Sequence, residues 1–506
     1  MLKQTPTGTW LSAWVPESTL TLSFLLVLCS TVQSATNGYD GSMLNGLNIL
    51  PSYTDYFQLT PATTGLNTAS VFIGSTFGTL VSGVMADKLG RRITILWASV
   101  FTLIGVALQT AAQNIAMFVV ARIILGFGSA LSGVASGVYL SEAFPSRWRA
   151  WGVGLLNDFY YVGALIAAGV TLGTGQWQST WAWRLPSLIQ GVFSVLCIAI
   201  LPFVPESPRW LVHEGYFEYA RTSVAQTNTN GNLQDPVAVA IYKEIIDALA
   251  WEKKEGRTMS PKEIFKTPTA RRRLLIGMSA GPFSCIAGNI IASYYLGNEL
   301  AMAGITDSTD QLKANVVLNV FCLLCSLAGS YLSSEVGRKP TAIISQTLLI
   351  IFLFVIGGLT KIYNDNPAAA SQSLVYGNVA VIFLFQGAYS LAWTPLLYLY
   401  PPEYSIRANG LAFSALSLNL LACVLVNVMP IGLANIGWKM YIINGSWDVI
   451  VLILIVVFWI ETKGRTLEEI DAIFDGEKHS SVPDVEMVRT GQATIDVVAI
   501  EQQLKS

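Results

Sequence analysis

The sequence predicts an all-α membrane protein with twelve transmembrane helices in two pseudo-symmetric six-helix halves. The chain has 506 residues, of which 52% are hydrophobic and only 12% are charged. A soluble chain carries about twice that share of charged residues. The apolar residues recur in blocks of about 20, and a helix of that length is about 30 Å long, enough to cross a bilayer core. Three acid/base motifs also occur once in each half, which predicts an internal repeat.

Twelve apolar blocks give the predicted spans, with one long polar stretch between the sixth and the seventh. We expect an N-terminal segment over 1–19, a six-helix half over 20–204, a helical linker over 205–272, a second half over 273–460 and a tail over 461–506. The spans are predicted at 20–47, 63–86, 93–112, 116–139, 150–172, 184–204, 273–296, 313–333, 340–360, 374–399, 409–431 and 440–460.

The basic residues predict that both termini lie in the cytoplasm. The chain has 30 Lys and Arg. In this orientation Arg184, Lys313, Lys361 and Lys439 fall outside and Arg122 falls within the membrane, which leaves 25 of the 30 on the cytoplasmic side. Lys and Arg are enriched in the cytoplasmic loops of membrane proteins, so the reverse orientation is disfavoured.

The repeated acid/base motifs all follow predicted cytoplasmic ends of spans. They lie after spans two, four and six and again after spans eight, ten and twelve. Internal repeats around a midplane site are typical of alternating-access carriers. We expect ion pairs in these motifs to hold the cytoplasmic side closed, the alternative being that they only determine topology. The residues concerned are Asp87, Arg91, Arg92, Glu142, Arg149, Glu206, Arg209, Glu335, Arg338, Glu403, Arg407 and Glu461.

One carboxylate, Asp40, lies inside the first predicted span. A charge costs free energy inside a membrane, so a carboxylate there is by default taken to have a functional role. Arg122, in span four, lies at a matching depth, because each residue is roughly 10–12 Å below the outer end of its helix. Pairing would offset part of the burial cost of both charges. Movement of the arginine would then change the protonation of the carboxylate, which predicts a proton-coupling switch. The alternative is a permanent ion pair that only sets helix packing.

Several of these motifs resemble those of the sugar porter family of the major facilitator superfamily. They are Gly38-Tyr39-Asp40, the Asp87–Arg92 motif, Pro205–Trp210 and Glu461–Glu469, and the resemblance covers about residues 20–475. Within that family, Gly288-Asn289 with Ser293–Leu296 is most similar to the fungal lactose and cellodextrin permeases. The resemblance implies the major facilitator fold and the same roles for Asp40 and Arg122.

The resemblance also implies a function. It implies a plasma-membrane sugar:proton symporter that acts as a monomer, with a disaccharide such as lactose or cellobiose, or a hexose, as substrate. The chain departs from the family where Ser284 and Cys285 replace a glutamine pair and Asp158 replaces a sugar-binding glutamine. A non-transporting sugar sensor and a facilitated-diffusion uniporter on the same fold therefore remain as alternatives.

A sugar site needs short polar groups for the hydroxyls and aromatic rings for the apolar faces. For any single aromatic residue, packing or anchoring at the membrane interface is the alternative role. Asp158 is either a second titrating or substrate-binding group or a hydrogen-bonded residue lining a wet cavity. The candidates are Asn157, Asp158, Asn289, Tyr294, Tyr295, Gln386, Trp393 and Asn419.

The sequence contains no catalytic motif, phosphate-binding loop or metal-ligand spacing. The expected partners are therefore a small sugar, a proton and the lipid bilayer. We expect no cofactor, no metal, no nucleic acid and no enzymatic activity.

Overall fold

The computed structural model describes residues 2–4, 10–12, 14–145, 149–254, 268–365, 371–404, 407–463, 485–495, 497 and 500. Over this part of the chain it is a bundle of long helices, eleven of which are long and apolar enough to cross a membrane. We call the end of the bundle at which span one begins the base, and the opposite end the top.

The first half contains spans one to six. Span six consists of two helices, with Pro186 inside the first of them, and runs on into a 3₁₀ turn over Leu201–Phe203. A short helix, Pro51–Thr54, follows span one. The helices of the six spans are Thr19–Ile49, Pro61–Leu89, Arg91–Thr110, Ile115–Ala143, Arg149–Thr174, and Trp181–Ile189 with Gly191–Ile200.

The second half repeats this arrangement with spans seven to twelve. Spans eight to twelve are Ser308–Glu335, Arg338–Asp365, Gln372–Tyr404, Arg407–Ile436 and Lys439–Phe458.

Span seven differs from its prediction. The expected single helix over 273–296 is broken into the segments Pro268–Ile286, Asn289–Tyr294 and Leu296–Met302. Gly288 lies at the first break with a φ of +87°, a conformation that glycine adopts easily and that ends a helix. The prediction of an uninterrupted helix was wrong because apolar periodicity does not reveal so short a break.

Helix starts follow capping rules. Asn114 and Asp307 accept hydrogen bonds from the backbone amides of Met117 (2.8 Å) and Asp310 (3.0 Å) at the starts of spans four and eight. These bonds satisfy amides that have no partner inside the helix. Thr60 forms a reciprocal capping box before span two, with proline at the first helical position.

The linker forms a small helical layer under the base. Its described helices are Pro208–His213, Phe217–Asn228 and Pro236–Lys254. Thr19 and Asn230 exchange two hydrogen bonds of 2.8 Å, which attach this layer to the start of span one. Outside the bundle, strands Leu2–Gln4 and Trp10–Ser12 pair antiparallel, with Leu2 opposite Ser12, and Val485–Arg489 is a short helix.

Helix backbones approach closely within each half. A Cβ on Gly38, in span one, would lie 1.8 Å from the carbonyl oxygen of Tyr160, in span five. Gly126 of span four and Gly329 of span eight approach carbonyl oxygens of spans two and ten equally closely, at 2.0 and 1.9 Å. Small residues permit such contact between membrane helices. The two halves meet mainly where span two packs on span eleven and span five packs on span eight.

Candidate functional site

A cavity of about 240 Å³ lies between the two halves. Its wall combines amides, hydroxyls and aromatic rings, the mixture expected for a small polar ligand. The polar and aromatic groups of the wall include Asn37, Asp40, Asn157, Tyr160 and Tyr161 from the first half and Ser284, Asn289, Tyr294, Tyr389, Trp393 and Asn419 from the second.

Five of the eight predicted substrate residues lie in this wall: Asn157, Asn289, Tyr294, Trp393 and Asn419. The structure places the other three elsewhere. The hydroxyl of Tyr295 donates to the carbonyl of Val426 (2.9 Å) inside the second half. Gln386 is buried, with 4% of its surface exposed, outside the cavity wall.

The third residue away from the wall, Asp158, bonds across the two halves. Its carboxylate accepts a 2.6 Å hydrogen bond from the hydroxyl of Ser330 in span eight. Ser330 lies about 8 Å from the base end of its span at 1.5 Å per residue. Asp158 therefore helps to join spans five and eight below the cavity.

Three further hydrogen bonds join the halves at the cavity wall itself. The amide of Asn157 donates to the carbonyl of Thr394 (2.5 Å), and that of Asn419 donates to the hydroxyl of Thr79 (3.1 Å). Tyr161 and Ser390 share a 2.7 Å bond between their hydroxyls. Asn157 and Asn419 thus both face the cavity and hold the halves together.

Span one and the broken span seven meet above the cavity. The side-chain oxygen of Asn45 accepts a hydrogen bond from the backbone amide of Leu296 (3.2 Å), at the second break of span seven. Ser42 accepts bonds from the amides of Asn315 (3.3 Å) and Asn319 (3.4 Å) in span eight. Inter-half contacts therefore lie both above and below the cavity.

The predicted partners Asp40 and Arg122 are in direct contact. The two terminal nitrogens of Arg122 donate to the two carboxylate oxygens of Asp40, both at 3.0 Å. Arg122 has 0% of its surface exposed and Asp40 has 4%. Asp40 also lies in the cavity wall, so one carboxylate touches both the ion pair and the site.

Two residues that the sequence analysis did not single out complete this pair. The amide of Gln190, in span six, donates to Asp40 at 3.0 Å. The remaining nitrogen of Arg122, Nε, donates to the carbonyl of Asn67 in span two, also at 3.0 Å. A polar side chain inside an apolar span was the available signal for Gln190, whereas Asn67 contributes its backbone carbonyl, which no side-chain pattern indicates.

The acid/base motifs of the first half form one buried cluster at the base. Glu206 accepts hydrogen bonds from the backbone amides of Arg91 (3.0 Å), Arg92 (3.2 Å) and Ser207 (2.9 Å). A carboxylate at a helix start is stabilised by the helix dipole. Burial has the largest effect on the pKa of Glu206 and raises it, whereas these hydrogen bonds and the nearby arginines lower it. The Arg91 guanidinium contacts Glu142 (2.9 Å) and Asp87 (3.4 Å), while Arg209 attracts Glu142 electrostatically.

The second half repeats this cap. Glu461 accepts hydrogen bonds from the backbone amides of Arg338 and Lys339, both at 3.0 Å. The carbonyl of Glu335 accepts a bond from Lys463. Gly90 and Gly337 precede the two capped helices with φ of +93° and +117°.

The bonds named here join elements of one half or of the segment that directly follows it. That the ion pairs of these motifs hold the cytoplasmic side closed stays a prediction. The side chains of Arg149, Glu403 and Arg407 lie outside what the structure describes. What the clusters do in this conformation is to fix the base of each half.

Two six-helix halves joined above and below a central cavity, with a paired carboxylate in its wall, define a helical membrane carrier. The chain belongs to the sugar (and other) transporter family, whose profile matches residues 26–474. This confirms the predicted membership of the major facilitator sugar porters.

Similar proteins agree with this assignment. A high-affinity glucose transporter of Kluyveromyces lactis is 29% identical over 86% of this chain and 82% of its own length. High-affinity glucose transporter 1 of Candida albicans is 26% identical over 89% and 86%. The proton:xylose symporter XylE of E. coli, bound to 6-bromo-6-deoxy-D-glucose, superposes with a TM-score of 0.76 at 23% identity, over 90% of this chain and 100% of that one. These relatives are transporters and not enzymes, and they show the family but not the lactose and cellodextrin subgroup.

Proposed function

We propose that this protein is a sugar:proton symporter of the plasma membrane, with its base and both termini in the cytoplasm. The observation that carries the proposal is the double position of Asp40, which lines the cavity and is held by Arg122. A carboxylate in that position can interact both with a ligand in the cavity and with the arginine that balances its charge. The relatives described above, glucose transporters and a proton:xylose symporter, support the same function.

The lining and the size of the cavity support a sugar as the substrate class. Asn157, Asn289 and Asn419 offer amides for sugar hydroxyls, while Tyr294 and Trp393 offer ring faces. A volume of about 240 Å³ lies below the usual range of roughly 300–1,000 Å³ for small-molecule sites. It favours a hexose over a disaccharide of twice the size. The resemblance to lactose and cellodextrin permeases keeps a disaccharide as the second candidate.

The mechanism is alternating access between two stiff halves. Opening to the outside breaks the bonds of Ser42 and Asn45 to the second half, whereas opening to the cytoplasm breaks those of Asp158 and Asn419. Proton binding to Asp40 competes with its bonds to Arg122, so protonation and rearrangement of span four are linked. Sugar and proton together then permit the change between the two open states.

The test is uptake into liposomes that contain the purified full-length chain and carry an imposed pH gradient. Labelled glucose, xylose, lactose and cellobiose are offered separately. We expect uphill accumulation of at least one sugar, and collapse of the accumulation when a protonophore removes the gradient. Uptake that only equilibrates would indicate a uniporter. Binding without uptake, in liposomes and in a transporter-null yeast host, would indicate a sensor.

A further inference from the structure

Trp393 of span ten turns its only hydrogen-bond donor away from the cavity. Its indole Nε1 donates to the side-chain oxygen of Gln346, in span nine, at 3.1 Å. Both residues have 0% of their surface exposed, and Trp393 forms part of the cavity wall while Gln346 does not. Because the indole N–H is its only polar group, Trp393 can offer a ligand only its ring.

Gln346 is held in turn by span twelve. Its amide nitrogen donates to the backbone carbonyl of Asp448 at 3.4 Å. The Asp448 carboxylate accepts a 3.5 Å bond from the side-chain amide of Asn444, so Asp448 contacts both Gln346 and Asn444. These side chains lie behind the cavity wall and are at most 5% exposed.

The same network reaches the first break of span seven. The amide of Asn444 donates to the carbonyl of Ile286 at 3.0 Å, the last residue of the first helical segment. A Cβ on Gly288 would lie 2.8 Å from that amide nitrogen, so the glycine allows the approach. A helix break leaves carbonyls without helical partners, and Asn444 satisfies one of them. Asn289, which lines the cavity, follows directly after the break.

We propose that Gln346 is a positioning residue that fixes the ring plane of Trp393 against the sugar, and that Asp448 and Asn444 tie it to the break in span seven. The network sets the ring of Trp393 and the amide of Asn289 at a defined mutual geometry across the cavity. It gives a role to Asp448, which as an acid inside a membrane span is costly to maintain. The inference rests on the proposed sugar-binding function and names the residues that give its site a fixed shape.

The first measurement needs no sugar. The full-length chain is labelled with 5-fluorotryptophan, and the Trp393 signal in the ¹⁹F spectrum is assigned from its loss in Trp393→Phe. Gln346→Leu keeps a similar side-chain volume but removes the acceptor. We expect this variant to shift or broaden the Trp393 signal, and with it that of Trp459, whose ring packs edge-on against Trp393 at 5.9 Å, while the remaining tryptophan signals stay in place. An unchanged Trp393 signal would overturn the proposal.

The second measurement is sugar binding by the purified chain, using a labelled sugar that the wild type transports. We expect Gln346→Leu to raise the Kd about tenfold, since an unsatisfied buried donor disorders the ring. In a Trp393→Phe background the bond is already absent, so Gln346→Leu should add less than about twofold there. Equal effects in both backgrounds would show that Gln346 acts on the fold and not through Trp393.

Gln109→Leu is the matched control. Gln109 is a fully buried glutamine of span three whose amide has no hydrogen-bond partner within the described part of the chain. It should leave the ¹⁹F signal of Trp393 and the Kd unchanged. If Gln346→Leu does not fold, Gln346→Met takes its place. If the wild type binds no sugar, the proposed function fails, and the ¹⁹F shift alone decides whether Gln346 holds the ring.

Discussion

Replacement of Asp40 by asparagine tests the coupling mechanism most directly. The amide keeps an oxygen that can accept one bond from Arg122 but removes the negative charge. Arg122 is fully buried, so its charge is left without compensation. Breaking a buried pair costs about 3–5 kcal/mol. Because one bond to Arg122 and its bond to Asn67 survive, we expect a loss of stability near the lower end, about 3 kcal/mol.

The assay is sugar uptake by liposomes under an imposed pH gradient. Asp40→Asn should abolish accumulation above the external concentration, while exchange of labelled for unlabelled sugar continues. The double variant Asp40→Asn/Arg122→Gln removes both charges. It should recover much of the melting temperature without recovering accumulation, which separates stability from coupling. Accumulation by Asp40→Asn at the wild-type level would refute the proposed role of Asp40.

Three further predictions concern the rest of the molecule. Ser330→Ala removes the bond to Asp158 below the cavity, which costs about 1 kcal/mol and raises the population of the base-open state about fivefold. Alkylation of the cavity thiol Cys285 should become faster by the same factor. The control Ser141→Ala affects only a bond within span four and should leave the alkylation rate unchanged. Gly90→Ala forces a φ of +93° on alanine and places its Cβ 2.7 Å from the Glu206 carboxylate, so the melting temperature should fall clearly. The control Gly169→Ala, whose Cβ would have no atom within 4 Å, should have little effect. Equal melting temperatures of the two variants would contradict the predicted strain at Gly90. Glu206→Gln and Glu461→Gln should each lower the free energy of unfolding by about 1 kcal/mol, because each weakens a helix cap. The caps lie in separate halves, so the two losses of stability should add in the double variant. A strongly non-additive double variant would show that the caps interact across the halves.

Much of the architecture was predictable because the bilayer imposes it. Apolar block lengths gave the spans, and equal depths below the outer surface brought Asp40 and Arg122 together as candidates. The repeated motifs indicated two halves, and the structure shows the corresponding caps by Glu206 and Glu461.

Contacts that depend on helix rotation were not predictable in the same way. Tyr294 and Tyr295 are adjacent in the sequence, yet one lines the cavity and the other bonds to Val426. Tyr294 ends the second helical segment of span seven and Tyr295 lies in the break that follows, which an apolar run in the sequence does not reveal. Asp158 likewise points to span eight and away from the cavity wall, since packing of span five on its neighbours sets its direction.

Glycine contacts between helix backbones have a consequence for mutational tolerance. Gly38, Gly126 and Gly329 each press a helix onto a carbonyl oxygen of the same half, so no side chain can be inserted there without separating two helices. Contacts between the halves, such as those of Asn157 and Asn419, are made through side chains that can be exchanged. A saturation-mutagenesis library would therefore divide into two groups. Substitutions at the glycine contacts would reduce the amount of protein in the membrane, and substitutions between the halves would leave that amount normal but change the transport rate.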